Sequence, residues 1–214
     1  MFLEDLKKQL HGEPQPLFIG EETAFRSAIT IPLVKIDDEW HVLFEVRALS
    51  MRKQPGDISF PGGKIDATDA SPLAAALRET HEELGVDIEK ISVLSALSPY
   101  IASPTFVVYP FVVTIECPNV LTGYHEDEVE EVFTVPVEWL LNHQPYMHLV
   151  SMHPTPDDDF PYEKIAGGAD YKWGTRVIEE WFYEYGDYII WGLTARILKH
   201  FIMTVKGLPL GAAK

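Results

Sequence analysis

A loop with paired glycines, followed by a short acidic helix, is the most distinctive feature of the sequence. The loop is Phe60–Lys64, and the helix is predicted to begin after Ser71, whose hydroxyl can cap it, with Pro72 in the first turn. Gly85 follows Leu84 and is typical of a helix end. Because paired glycines let the backbone approach a ligand closely, we expect the loop and the helix to form a binding site together.

The predicted helix has two chemically different faces. Apolar side chains recur on one face and predict docking against a β-sheet; they are Leu73, Ala74, Leu77 and Leu84. Glu79, Glu82 and Glu83 recur at helical spacing, so we expect their carboxylates to converge on a common point. Neighbouring carboxylates repel each other by about 1 kcal/mol per pair even in water, so a positive charge must offset them.

The acidic face predicts a divalent cation site. Mg²⁺ or Mn²⁺ is the natural candidate, because hard cations take carboxylate oxygens. The alternative is a solvated acidic face in which Arg78 pairs with Glu82. The preceding loop favours the metal site, since the amides of Gly62 and Gly63 can face the phosphate oxygens of an anionic ligand.

The rest of the chain mixes strand and helix patterns. Apolar and β-branched runs predict a β-hairpin over 28–36 and 40–47 and further strands over 91–97, 106–115, 132–135 and 147–152. Helices are predicted near the N-terminus over 2–10, over 136–141 and from Tyr188 to about Val205. We therefore predict an α/β (α+β) fold and one domain over 1–214, with a core over 25–142 and 189–205, an elaboration over 143–187 and a flexible tail over 207–214.

Charge and composition exclude several classes of function. The chain carries 17 basic and 33 acidic residues, a formal net charge of −16, which disfavours broad binding to nucleic acids or anionic membranes. A single cysteine, Cys117, excludes an internal disulfide and a thiolate metal cluster. The N-terminus does not read as an export signal, and no apolar stretch has the length of a membrane span. We expect a cytoplasmic protein, and monomer and homodimer both remain open.

The loop and the helix together resemble the Nudix box. The matching residues are Gly63, Arg78, Glu79, Glu82, Glu83, Gly85 and Val86. There are three departures: Asp69 replaces a glutamate, one extra residue precedes Arg78, and Thr80 fills a usually aliphatic position. The resemblance implies a Nudix-type α/β/α sandwich with a mixed β-sheet and terminal helices. It also implies hydrolysis of a nucleoside diphosphate linked to another group, with Mg²⁺ or Mn²⁺ held by the three glutamates. We interpret Arg78 as the residue that locks the carboxylates in place rather than as a phosphate ligand.

The segment upstream is similar to the coenzyme A pyrophosphatase branch of the Nudix family. Matching positions are Leu43, Arg47, Arg52, Gly56 and the run 60–63, whereas Phe44, Glu45 and Ala48 depart from the pattern. Residues 190–198 resemble a helix start that is common in the same branch. The implied substrate is coenzyme A or one of its thioesters, cleaved to 3′,5′-ADP and 4′-phosphopantetheine (or its acyl form).

A local cluster of cations agrees with such a substrate. Four positive charges lie between residues 47 and 64 of an otherwise acidic chain: Arg47, Arg52, Lys53 and Lys64. Arginine is well shaped for bidentate contact with phosphate. We expect substrate contacts from the side chains of Arg47, Arg52 and Lys64 and from the loop at Gly62 and Gly63. Ordinary surface charge, paired with neighbouring acids, is the alternative for the two arginines.

The sequence leaves the general base and the substrate open. The base is either a glutamate of the box or a carboxylate of the acidic segment 125–131, where Glu128 or Glu130 is our choice; a solvated charge run is the alternative reading of that segment. The predicted catalytic set is Arg78, Glu82, Glu83 and Glu128. ADP-ribose or a dinucleoside polyphosphate is the alternative substrate, and a non-catalytic nucleotide-sensing module is the alternative function.

Overall fold

The computed structural model describes residue 4 and residues 18–116 and 120–207, and within these residues eight strands form one mixed sheet. The strands are β1 (Phe25–Ile36), β2 (Glu39–Arg47), β3 (Ile58–Ser59), β4 (Gly62–Lys64), β5 (Ile91–Ala96), β6 (Tyr100–Ser103), β7 (Phe106–Ile115) and β8 (Val129–Pro136). The order is β3-β2-β1-β7-β5, while β4 pairs with β1, β6 with β7 and β8 with β2. Strands β1 and β7 run parallel and the other pairs antiparallel, so the predicted mixed sheet is confirmed.

The predicted hairpin is formed by β1 and β2. The two strands pair antiparallel, and Asp37 and Asp38 connect them with φ angles of 47° and 66°. Two consecutive residues with positive φ match the right-handed twist of the flanking strands, and aspartate tolerates this conformation better than most residues. Strand β1 begins at Phe25, earlier than the predicted Ala28, because its first residues already pair with β7.

The core is formed by the sheet and by the helix that follows β4. Residues 27–32 of β1 are buried continuously, as expected for a strand covered on both faces. One cluster of buried apolar side chains joins several strands with the end of the helix; it contains Val34, Leu43, Leu84, Val86, Ile91, Val113, Ile115, Val120, Val129 and Val132. This cluster fixes the helix end against the sheet.

Helix α1 (Pro72–Leu84) has the predicted ends. The hydroxyl of Ser71 accepts a hydrogen bond from the amide of Ala74 at 3.1 Å, and Gly85 closes the helix in the left-handed conformation with φ 64°. A β-carbon on Gly85 would also lie 2.3 Å from the carbonyl oxygen of Gly123, so this position requires glycine for two reasons. Local capping chemistry therefore determines where the helix starts and stops.

The buried face of α1 differs from the predicted apolar stripe. The buried residues are Ala75, Ala76, Thr80, Glu83 and Leu84, whereas Leu73, Ala74 and Leu77 are only partly covered. Small side chains at Ala75 and Ala76 let the helix pack on Ala28 of β1. Thr80 is tolerated in the core because its hydroxyl lies 2.8 Å from that of Thr30 and also donates to the carbonyl oxygen of Ala76 at 2.7 Å.

A second set of elements follows the mixed sheet. Helix α2 (Val137–Asn142) is followed by β9 (Tyr146–Met152), β10 (Arg176–Tyr185), β11 (Tyr188–Trp191) and helix α3 (Gly192–Val205). The last three strands form an antiparallel sheet in the order β11-β10-β9. Short 3₁₀ turns are found at Glu21–Thr23, Ile88–Lys90, Tyr162–Lys164 and Gly168–Asp170.

The start of the final helix was predicted wrongly. Residues 188–191 form a strand that pairs with β10, and the helix begins only at Gly192. The reason is local, since these residues are aromatic or β-branched and follow a turn at Gly186, where φ is 59°. Such a run is compatible with a strand as well as with a helix, and pairing with β10 forms the strand.

The chain divides into two compact units, Met1–Glu138 and Trp139–Lys214. Residues 189–205, predicted to share a core with 25–142, lie in the second unit together with 143–187, where β11 pairs with β10. The predicted N-terminal helix falls, except for Glu4, outside the described residues, as do the tail from residue 208 and Cys117. No helix of the described part of the chain has the length and apolar character to cross a membrane.

Candidate active site

The glycine pair lets strand β4 lie between β1 and the acidic end of α1. Gly62 has φ 146°, and a β-carbon there would lie 2.4 Å from the carbonyl oxygen of Ala28. A β-carbon on Gly63 would lie 2.5 Å from the carboxyl carbon of Glu79. The two glycines are therefore required for different reasons: Gly62 by the backbone of β1, and Gly63 by a carboxylate that rests on it.

Arg78 organises the carboxylates of this region. Its Nε and Nη2 donate to the two carboxylate oxygens of Asp69 at 3.1 and 3.0 Å, a bidentate pair. Its Nη1 donates to Glu79 and to Glu82, both at 2.9 Å, and Nη2 also donates to the carbonyl oxygen of Lys64 at 3.2 Å. All five N–H donors of the guanidinium are thus engaged. This geometry agrees with the interpretation of Arg78 as a residue that locks the carboxylates in place.

Asp69 is the carboxylate on which Arg78 is anchored. Hydrogen bonds from Arg78 and from the amide of Asp66 hold the pKa of Asp69 below its ordinary value. The aspartate, although shorter than the glutamate of the Nudix box, keeps a bidentate contact with the arginine. The departure at this position therefore preserves the ion pair.

The three glutamates of α1 do not all have the same hydrogen-bond partner. Glu82 is half-exposed and turned toward Arg78, whereas Glu83 is buried and its Oε2 accepts a hydrogen bond from the amide of Gly62 at 2.7 Å. Within the described residues, no three acidic, histidine or cysteine side chains are grouped closely enough to hold a metal ion without rearrangement. Glu79 and Glu82 are thus held by one nitrogen of Arg78, whereas Glu83 is held by the loop.

The same hydrogen bond corrects the expectation for the amide of Gly62. Because the amide of Gly62 already donates to Glu83, it does not face a phosphate oxygen. Gly63 stands opposite Ala28 in the β1–β4 pair, and its carbonyl oxygen accepts from the hydroxyl of Ser27 at 2.7 Å. The loop thus positions a carboxylate of α1 through its backbone.

Burial places Glu83 in an unfavourable environment for a charge. Its residue is 4% exposed, and this burial is the main reason that the pKa of Glu83 lies well above its ordinary value. The charge of Glu45 raises the pKa of Glu83 further, and the hydrogen bond from Gly62 only partly offsets these effects. Glu79 is also partly desolvated, and its pKa is raised although Arg78 opposes the shift.

Glu45 acts on Glu83 as well, although no sequence pattern predicted it as a site residue. It lies on β2, is 1% exposed, and accepts a hydrogen bond from the hydroxyl of Ser59 at 2.9 Å through Oε1. Burial raises the pKa of Glu45 to about 7, and the charges of Glu128 and Glu79 act in the same direction. A charged residue inside an apolar strand, at a position that departs from the family pattern, is the sequence signal that marks it.

The group of carboxylates fits a divalent cation. The charges of Glu79 and Glu128 raise the pKa values of both Glu45 and Glu83, and the charge of Glu45 raises the pKa of Glu83 as well, so like charges act on one another in this region. Carboxylate oxygens are the ligands that Mg²⁺ and Mn²⁺ prefer, and a bound cation would remove the repulsion. The donor set is therefore chemically suited to such an ion.

The predicted substrate-binding cations take different positions. Arg47 lies at a β-bulge between β2 and β8, where its charge acts on Glu45, and its buried Nε has no hydrogen-bond partner among the described residues. A bulge redirects a side chain relative to its neighbours. Arg52 is exposed, and the exposed Lys64 pairs with Asp66 at 3.2 Å. The structure thus brings Arg47 to the carboxylate group and leaves Arg52 and Lys64 at the surface.

The two candidates from the acidic segment are also separated by the structure. The charge of Glu128 acts on Glu45, Glu79 and Glu83, and its carbonyl oxygen accepts from the amide of Ala48 at 2.9 Å. The carboxylate of Glu130 instead lies 3.5 Å from the amide of Leu49. Of the two, only Glu128 acts on the carboxylate group.

Comparisons with known proteins point to one family. The model of the NUDIX domain matches residues 24–154. Over 180 residues the chain is 33% identical to a protein named uncharacterized Nudix hydrolase NudL from an Enterobacter species, covering 84% of this chain and 82% of the relative. A relative of the same name from Salmonella paratyphi B is 32% identical over the same shares. The crystal structure of a MutT/nudix family protein from Enterococcus faecalis is similar with a TM-score of 0.50, at 19% identity, over 95% of this chain and 70% of that one, and this likeness concerns the fold alone.

Proposed function

The chain belongs to the NUDIX domain family and is a pyrophosphohydrolase acting on nucleotide derivatives, and we propose that its substrate is coenzyme A or an acyl-coenzyme A. Hydrolysis adds water across the pyrophosphate bond and releases 3′,5′-ADP and 4′-phosphopantetheine or its acyl form. The observation that carries the proposal is the group of repelling carboxylates beside a glycine loop, with a cationic segment upstream.

Glu79, Glu82 and Glu83 are the proposed ligands of Mg²⁺ or Mn²⁺. A bound divalent cation supplies positive charge against the oxygens on which negative charge develops during pyrophosphate cleavage. Arg78 contributes by position, because it fixes Glu79 and Glu82 from one guanidinium nitrogen. We assign no direct phosphate contact to Arg78, since its donors are all engaged.

Glu128 is the proposed general base. Its side chain is exposed and therefore accessible to water, and it acts electrostatically on the carboxylate group. A carboxylate that accepts a proton from the attacking water contributes typically ~10²–10⁴-fold to the rate. A glutamate of the box, Glu82 or Glu83, is the alternative base.

The proposal of a coenzyme A-like substrate depends on the cations upstream of the loop. Arg47, Arg52 and Lys64 are the proposed phosphate contacts, and Arg47 is supported by its buried Nε, which has no partner among the described residues. Coenzyme A carries a 3′-phosphate besides its pyrophosphate, so it presents more negative charge than ADP-ribose. An acidic chain with this local cluster is suited to the more highly charged ligand.

A second substrate class is favoured by a specific observation. Glu45 and Ala48 depart from the coenzyme A pattern, and both are buried, so the departure changes the interior of the site and not only its surface. ADP-ribose or a dinucleoside polyphosphate is therefore the competing substrate.

Turnover of the candidate substrates tests the proposal. Coenzyme A, acetyl-coenzyme A, ADP-ribose and a dinucleoside tetraphosphate are compared at equal concentration with Mg²⁺ and with Mn²⁺, and the products are identified by mass. We expect the highest kcat/KM for coenzyme A or its thioester, with 3′,5′-ADP among the products. Preference for ADP-ribose or the dinucleotide would overturn the substrate assignment.

A further inference from the structure

Glu45 is a buried charge that the packing of the sheet does not explain. Its neighbours along β2, residues 42–44, are apolar and fully buried, and nothing in the strand pattern calls for a carboxylate. Oε1 accepts from Ser59, but Oε2 is buried without a hydrogen-bond partner among the described residues. A buried carboxylate oxygen without a partner is strongly unfavourable, so it points to a ligand.

The surroundings of Glu45 are mostly negative. The negative charges of Glu79 and Glu128 repel the carboxylate of Glu45, and Glu45 in turn repels Glu83. The guanidinium of Arg47 is the opposing charge nearby, yet its Nε has no partner either in the described part of the chain. Arg78 pairs with Glu79 but also with Asp69 and Glu82, so the carboxylates outnumber the two arginines.

Resting on the divalent cation of the proposed function, we propose that Glu45 is a further ligand of that cation, supplied by strand β2 and oriented by Ser59. The hydroxyl of Ser59 occupies Oε1 and leaves Oε2 for the cation. Ligating carboxylates are commonly held by such an outer hydrogen bond. The three glutamates of the box all come from α1, so this ligand would tie the helix to the sheet through the cation.

A shared proton is the competing explanation for the same geometry. Two buried carboxylates can lower their repulsion if one of them holds a proton, and Glu45 would then be neutral and would not contact the cation. The two explanations differ in what removal of the charge at this position does to cation binding.

Glu45→Gln separates the two explanations, because it keeps the shape of the side chain and removes its charge. Mn²⁺ binding to the substrate-free protein is measured by titration calorimetry and by the electron paramagnetic resonance signal of free Mn²⁺. We expect Mn²⁺ to bind Glu45→Gln at least about 10-fold more weakly than wild type, since even the loss of an outer partner has effects of this size. The matched control is Glu39→Gln, the same change at an exposed position of the same strand, which should bind Mn²⁺ as wild type does.

The outcomes distinguish this inference from the proposed function. If wild type binds Mn²⁺ and Glu45→Gln binds it equally well, the ligand role of Glu45 is wrong while the proposed hydrolysis stands. If wild type binds no Mn²⁺, both fail.

A second measurement does not depend on a variant that folds. The anomalous signal of a wild-type crystal soaked in Mn²⁺ should place the ion about 2.0–2.4 Å from Oε2 of Glu45. An ion bound to α1 but beyond coordination distance of Glu45 overturns the inference.

Discussion

Arg78 and Glu83 represent the two ways in which single residues of the site are held. Arg78 is fixed by five charge-assisted or polar hydrogen bonds near the surface, whereas Glu83 is fixed by burial and by one backbone amide. Removal of Arg78 would release carboxylates, whereas removal of the charge on Glu83 would relieve repulsion. The two residues therefore contribute to the site with opposite effects on its charge balance.

At Glu83 we predict opposite effects on activity and on stability. Glu83→Gln should lower turnover by about 10²–10⁴-fold, the range for a lost proton-transfer group, because it removes a charge needed for the cation or for the attacking water. The melting temperature of the metal-free variant should equal or exceed that of wild type, because the substitution removes a buried repelling charge. Steady-state kinetics and thermal unfolding in EDTA measure the two effects.

Glu89→Gln is the control for that prediction, because Glu89 is exposed in the short turn after α1. It should leave both quantities unchanged. Wild-type turnover in Glu83→Gln would contradict the assignment. Absence of metal-dependent hydrolysis in wild type itself would favour the nucleotide-sensing alternative.

Strand β4 and helix α1 form the element pair on which the site depends. The backbone of β4 lies closely between β1 and Glu79. Gly62 is needed for the close approach to β1, and Gly63 for the position of the Glu79 carboxylate. At Gly62 an added β-carbon would clash with backbone atoms, and the positive φ would be strained for any other residue. At Gly63 it would clash with the end of the Glu79 side chain. The same substitution should therefore have different consequences at adjacent positions.

Gly62→Ala should mainly lower stability, and Gly63→Ala should mainly lower activity. A strained φ and a backbone clash predict a loss of about 1–3 kcal/mol or more in the free energy of unfolding for Gly62→Ala. For Gly63→Ala we expect a smaller loss of stability but about 100-fold lower turnover, because displacement of the Glu79 carboxylate misplaces a group of the site. Urea unfolding and kcat/KM measure the two effects.

Gly174→Ala is the matched control for the glycine pair, since a β-carbon there would meet nothing within 4 Å. It should leave both stability and turnover as in wild type. If Gly63→Ala retains full turnover with Glu79 displaced, the role of Glu79 is wrong.

Some boundaries of helices and strands can be predicted from the sequence and others cannot. The ends of α1 and the β1–β2 hairpin follow from capping residues and turn chemistry within a few positions of each boundary. The inward face of α1 was not predictable in this way, because one partner of the buried Thr80 hydroxyl is Thr30, on a strand distant in sequence. The strand at Tyr188–Trp191 was missed because an apolar aromatic run fits both a helix and a hairpin.

Across the whole molecule, the excess of acidic groups makes stability depend on pH. Glu45 holds its proton up to about pH 7 in the folded protein, whereas its ordinary pKa is 4.5. Between these values the folded state binds more protons than the unfolded state, so the free energy of unfolding falls as pH rises. The contribution of Glu45 is fully present below its ordinary pKa and is lost above about pH 7, and Glu83 shifts in the same direction.

We therefore predict that the metal-free protein is less stable at about pH 8 than at about pH 5. Glu45 accounts for about 3 kcal/mol of this loss at most, on the scale of about 1.4 kcal/mol per pKa unit. Urea unfolding in EDTA across this pH range measures the effect. Glu45→Gln should flatten the pH dependence, while Glu39→Gln should retain it; equal pH dependence in wild type and Glu45→Gln would contradict the prediction.

The sequence by itself determined the features that depend on neighbours along the chain. These are the capped acidic helix, the glycine loop before it, the hairpin and the resemblance to the Nudix box. Only the tertiary structure decided that the Gly62 amide donates to Glu83, that one nitrogen of Arg78 holds both Glu79 and Glu82, and that the charge of Glu45 on β2 acts on Glu83. The physical reason is that burial and electrostatic repulsion depend on distance in space, and strand pairing brings together side chains that no local pattern relates.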